Sequence, residues 1–136
     1  MSDRELAQSD MWATGVAAEG HPTLFIRDRL ISEGVTTSTE LQTHPGGKVL
    51  VAGVVTHRQR PATAGGTTFL NLEDETGLIN VVVSKGCWIR HRMVAGTAPA
   101  LYVHGRLERS EGVVNVIAER MEILTLQVQT SSRDFR

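Results

Sequence analysis

The sequence predicts an all-β fold, a small closed barrel of five strands with one short helix inserted and a partly helical extension in front. Three observations carry this. Apolar residues alternate with period two in five runs between Lys48 and Leu124. The runs are parted by loop and turn residues, among them Pro61–Gly66, Glu73–Gly77 and Ser110–Gly112. Between the third and fourth runs lies one stretch, Lys85–Val94, with helical rather than alternating character.

The elements follow in order. Residues 1–20 are mixed and broken by Gly15 and Gly20, which reads as a weak helix or an arm. His21-Pro-Thr-Leu-Phe-Ile-Arg-Asp-Arg-Leu-Ile31 predicts a helix, with Pro22 at its first position, where no N–H is needed, and Gly34 as its stop. Ser38–Leu41 predicts one more turn. His44-Pro-Gly-Gly47 breaks the chain and sets the domain boundary: an extension over 1–43, a barrel domain over 44–125 and a tail over 126–136. From Lys48 to about Arg60, Val49, Val51, Gly53 and Val55 alternate with Leu50, Ala52, Val54 and Thr56. Gly53 inside this strand marks a bend or bulge, as a tightly coiled barrel requires. Two strands then flank the acidic turn in Phe69-Leu-Asn-Leu-Glu-Asp-Glu-Thr-Gly-Leu-Ile-Asn-Val-Val-Val83. The inserted helix is expected to turn Trp88, Ile89 and Met93 inward. Strands over Ala98–Arg109 and Val113–Leu124 complete the set. Three strands, a short helix and two strands is the order of the OB-fold, a five-stranded Greek-key barrel with the helix between strands 3 and 4.

Bulk properties narrow the function. A chain of 136 residues is long enough for one domain with a core that needs no staples. Cys87 is the single cysteine, so no internal disulfide forms; it is expected to be a packed core thiol in a reducing cytoplasm. No apolar run is long enough to span a membrane, and Met1-Ser-Asp-Arg-Glu5, which lacks a basic patch followed by an apolar stretch, is not expected to be a secretory signal. Lys and Arg number 14 against 15 Asp and Glu, with a pI near 6.5, which argues against a strong non-specific polyanion binder. The charge is uneven. Residues 1–43 carry Arg4, Arg27 and Arg29 against Asp3, Glu5, Asp10, Glu19, Asp28, Glu33 and Glu40, so the later part is the better candidate for touching phosphate.

No catalytic residue, metal site or cofactor is assigned. Glu73, Asp74 and Glu75 are consecutive at a turn and point in different directions, so a solvated turn, with Asp74 and Thr76 bonding nearby backbone, is the expected reading. The five histidines, His21, His44, His57, His91 and His104, have no metal-ligand spacing with one another or with Cys87. Binding chemistry is better supported. If Leu70 and Leu72 face the core, Phe69 faces out, where a base can stack; a cover from the extension or the helix is the alternative. Asn71 on the same strand and Asn80 on the next offer donor and acceptor to a base edge, or are ordinary surface amides. His57, Arg58, Gln59 and Arg60 end the first strand, and an arginine there can meet phosphate or stack. Lys85, Arg90, Arg92, Arg106 and Arg109 are weaker candidates.

These residues carry a resemblance. Val49-Leu-Val-Ala-Gly-Val-Val-Thr-His-Arg-Gln-Arg-Pro61 followed by Phe69-Leu-Asn-Leu-Glu-Asp-Glu-Thr-Gly77 resembles the OB domain near the C-terminus of bacterial C-family DNA polymerases, above all the error-prone paralogue of the polymerase III alpha subunit. Met11–Val16, His21-Pro22, Val113–Glu122 and Ser132–Arg136 resemble the segments around that domain. The Asp-x-Thr-Gly turn is also similar to that of anticodon-binding OB domains of class II aminoacyl-tRNA synthetases, where a Phe and an amide matching Phe69 and Asn80 contact bases. The resemblance implies a module that guides single-stranded template DNA during damage-tolerant synthesis. The polymerase's metal-binding palm has no match here, so the chain itself is not expected to be an enzyme. Single-stranded DNA is the expected partner, with weak, salt-sensitive affinity. Docking to other polymerase domains or repair proteins, or RNA binding of the anticodon type, are the rivals.

Overall fold

In the computed structural model, which describes residues 20–126, five strands close into a barrel. The strands are β1 (Gly47–Gln59), β2 (Thr68–Asp74), β3 (Gly77–Val83), β4 (Ala100–Ser110) and β5 (Val113–Ile123). Their order around the barrel is β1-β2-β3-β5-β4, and β4 pairs back onto β1. All neighbours are antiparallel except β3 and β5. Helices α1 (Pro22–Phe25), α2 (Arg27–Ser32) and α3 (Ser38–Leu41) precede the barrel, and α4 (Lys85–Ala95) lies between β3 and β4. This is the five-stranded OB-fold that the element order predicts.

Alternation builds the core. Leu70, Leu72, Ile79, Val81, Val83, Val51, Val103 and Val116 point inward and are fully buried, with Leu101 and Met121 beside them. Burying a side chain of this size stabilises the fold by about 1.5–3 kcal/mol. The long strand β1 serves two neighbours: Gly47–Val54 pair with β4 and Val54–Gln59 pair with β2. It has to bend where it changes partner. A Cβ on Gly53 would lie 2.7 Å from the Glu73 carbonyl oxygen, so only glycine lets the strands approach this closely. Just beyond, the register with β2 slips by one residue between Val55 and His57. The β4–β5 hairpin turns on Glu111 and Gly112, both at positive φ (54° and 80°), the form a two-residue turn requires.

Two expectations for the helices are corrected. The single helix over 21–31 is broken at Ile26, which caps α1 and precedes α2 with φ −115° and ψ 16°. Ile26 and Leu30 bury with Val35 against Ala52 and Ala100 on the outside of β1 and β4, a second apolar cluster that fixes the extension to the barrel. On α4, Trp88 is half-buried as expected, but Ile89 and Met93 point outward, 57% and 78% exposed. The helix instead seats its small residues, Cys87 and Ala95, against the barrel end. Cys87 is a free, buried thiol whose pKa burial pushes up.

The acidic turn also differs from a solvated one. Asp74 is 2% exposed. Its Oδ1 accepts from the Thr76 N–H (2.8 Å), the Thr76 hydroxyl (2.7 Å) and the Gly77 N–H (3.1 Å), the local bonding expected of it. Its Oδ2 accepts from the Ser38 N–H of α3 at 2.9 Å. Glu75 takes a bidentate bond from Arg27, 2.6 Å at each oxygen, and a third from the Thr23 hydroxyl at 2.7 Å. The turn is the post to which α1, α2 and α3 are tied.

Candidate nucleic-acid interface

The outward residues of β1, β2, β3 and β5 form a small grid, because paired residues on neighbouring strands share a face. One row runs His57–Asn71–Asn80–Asn115. The next runs Gln59–Phe69–Val82–Ile117. Leu78, two residues before Asn80, and Val113, two before Asn115, are exposed on the other side of the amides. Phe69 is 40% exposed, so part of its ring is open to solvent.

The amides are organised. Asn71 donates from Nδ2 to Asn80 Oδ1 at 2.9 Å, and Asn80 donates from Nδ2 towards the Val114 carbonyl at 3.4 Å. These bonds run in one direction and leave the Asn71 oxygen as the acceptor end. A row of hydrogen-bonding amides flanked by apolar side chains can offer polar partners to a base edge and flat contact to its ring.

The structure thus brings together Phe69, Asn71, Asn80, His57 and Gln59. Arg58 and Arg60 sit on the other side of β1. Arg58 lies opposite the buried Leu70. Its guanidinium donates to the Ala95 carbonyl (Nε, 2.7 Å) and the Ala98 carbonyl (Nη2, 2.6 Å), at the C-terminal end of α4, where a cation complements the helix dipole. Arg60 donates to the Thr68 hydroxyl at 3.1 Å and stacks over the Trp88 ring, 4.9 Å from its centroid. The one-residue bulge causes the separation. Straight alternation from Val49 inward would put Arg58 and Arg60 outward; the extra residue at Thr56 reverses the phase and presents His57 and Gln59 instead.

Asn115, Val82 and Ile117 complete the grid and escaped the sequence reading. The outward parity of Asn115 and Ile117 is visible in Val113–Ile117, since Val114 and Val116 pack inward, and that of Val82 in its alternation with Val81 and Val83. What is not visible is that β5 crosses over to pair with β3. Of the weaker basic candidates, Arg109 clamps three carbonyls at the end of α3, those of Leu41, Gln42 and His44. Arg106 pairs with Glu119 at 3.5 Å. Among the described residues no three His, Cys, Asp or Glu side chains gather as metal ligands, and no helix is long and apolar enough to cross a membrane.

Residues 49–124, which include all five strands almost in full, match the family model described as "OB-fold nucleic acid binding domain". The chain belongs to the OB-fold nucleic acid binding domain family. Its similarity to curated relatives runs over its full length. It is 53% identical to the error-prone DNA polymerase of Mycolicibacterium paratuberculosis and 45% identical to that of Corynebacterium glutamicum, each across 100% of this chain. The chain spans only about 12% of the length of the first of these and 13% of the second. Among solved structures, asparaginyl-tRNA synthetase from Pyrococcus horikoshii shares the OB-fold, with TM-score 0.56 and 24% identity, over 68% of this chain and 22% of that one.

Proposed function

We propose that the outward face of β1, β2, β3 and β5 binds single-stranded DNA within an error-prone DNA polymerase, holding unpaired bases during damage-tolerant synthesis in the cytoplasm. The observation that supports this reading best is the row of amides beside the half-exposed Phe69. Phe69 stacks a base, Asn71, Asn80 and Asn115 meet base edges, and His57 and Gln59 border the path. Arg58 and Arg60 shape the barrel end through their bonds to α4 and Thr68. The relatives' name, error-prone DNA polymerase, favours DNA over RNA.

Base–aromatic stacking contributes roughly 1–3 kcal/mol. Phe69→Ala is therefore expected to weaken binding of a fluorescent single-stranded oligonucleotide by about 5- to 150-fold in an anisotropy titration. Equal affinity of the two proteins would remove the stacking role. The same titration with an RNA oligonucleotide of matching sequence tests the anticodon-type alternative, since only RNA offers a 2′-OH.

A further inference from the structure

Helix α4 has a second face that neither the barrel nor the proposed DNA path uses. Ile89 and Met93 stand one turn apart on it, at i and i+4, and both are exposed. Lys85, Arg90 and Arg92 are exposed around them. At 3.6 residues per turn, Lys85 and Arg92 flank the apolar pair on one side and Arg90 on the other. Cys87 and Ala95 lie on the opposite face, against the barrel. The helix contains no Asp or Glu, and Lys85, Arg90 and Arg92 form no ion pair among the described residues. Arg60, stacked on Trp88, adds a fourth cation beside this face. In a chain with 14 basic and 15 acidic residues, a helix that carries only cations around two exposed aliphatic side chains is a local specialisation.

We infer that the outward face of α4 docks an acidic, amphipathic peptide segment of a partner protein. The partner's aliphatic or aromatic anchors cover Ile89 and Met93, and its carboxylates meet Lys85, Arg90 and Arg92. Charge complementarity chooses this occupant. An acidic segment neutralises the cations while its apolar residues fill the centre. A nucleic-acid strand would satisfy the cations, but it would leave flexible aliphatic groups, and no aromatic platform, at the centre of the contact. None of Lys85, Ile89, Arg90, Arg92 and Met93 belongs to the amide and Phe69 grid.

The test is a methyl-detected NMR titration of the 136-residue chain with a synthetic peptide carrying Leu and Phe on one helical face and Asp and Glu on the other. The expected result is shifts at Ile89 and Met93, with a loss of about tenfold in affinity when Arg90→Glu and Arg92→Glu are combined. Both arginines are exposed, so the double variant keeps the fold, which its amide spectrum verifies. A peptide of the same apolar pattern with Lys in place of the acids is expected to bind at least tenfold more weakly. The inference is overturned if the two peptides bind equally or if millimolar acidic peptide leaves both methyl signals unmoved. It is also overturned if a single-stranded oligonucleotide moves Ile89 and Met93 as strongly as the peptide does, because the face then belongs to nucleic acid.

Discussion

At the scale of single residues, Asp74 ties the turn between β2 and β3 to α3. It sits at the end of β2, one turn from the amide row, and its two oxygens collect four hydrogen bonds. Removing the carboxylate leaves the Ser38 N–H without its partner in a buried place and those of Thr76 and Gly77 in part-buried ones, and an unsatisfied group costs about 1–3 kcal/mol where water cannot reach it. Asp74→Ala is expected to lower stability by about 2–4 kcal/mol, read as a shift in the urea midpoint with little change in slope. A change below about 0.5 kcal/mol would show that the turn holds without its carboxylate. Arg58 gives a contrasting lesson: as a residue type it suggests phosphate, but its bonds to the carbonyls of Ala95, the last residue of α4, and Ala98, just beyond it, give it work inside the fold.

At the scale of elements, the N-terminal helices depend on Glu75. Burial alone would raise the Glu75 pKa, but the bonds from Arg27 and Thr23 outweigh it and lower the value from 4.5 to about 2. Both side chains of the pair are largely buried, at 10% and 13% exposure. A carboxyl with a depressed folded pKa adds stability that is fully present above its unfolded value and disappears as the pH falls through the folded one. The contribution, on the order of 3 kcal/mol at neutral pH, is thus expected to fade between about pH 4.5 and pH 2. Glu75→Gln should flatten the acid limb of stability against pH and loosen α1 and α2 first, visible as faster amide exchange at Leu30 and Val35. An unchanged acid limb would contradict the role given to the pair.

The strands were legible from alternation and turn residues because each buries one face of a two-residue period. The outward placement of Phe69, Asn71 and Asn80 was legible for the same reason. Three features were not. The Thr56 bulge reverses the face of β1 without any change in composition. The break at Ile26 comes from tertiary anchoring to two clusters of contacts, Glu75 below and Ala52 with Ala100 beside it. α4 is rotated so that Cys87, Ala95, Trp88 and Val94 meet the barrel core and Ile89 and Met93 face out.

At the scale of the whole molecule, charge is nearly balanced, and no Lys or Arg stands in the two central rows of the grid. Binding by this domain alone should therefore rest on stacking and amide contacts more than on counterion release. A plot of log affinity against log salt is expected to have a slope of magnitude about 1–2, the value for two or three neutralised phosphates on a single strand. A slope above about 4 would mean that a basic surface elsewhere dominates. The chain spans about 12% of the length of the polymerase it resembles, so weak affinity by itself is compatible with the proposed guiding role beside stronger contacts. The central claim is that the face around Phe69 meets unpaired bases. The most direct measurement is an NMR titration of the isotope-labelled chain with a short single-stranded DNA. The account predicts that the side-chain amides of Asn71, Asn80 and Asn115 and the ring of Phe69 shift together and saturate at one affinity. Shifts confined to the opposite wall of the barrel, around Lys48, His104 and Arg120, would contradict it.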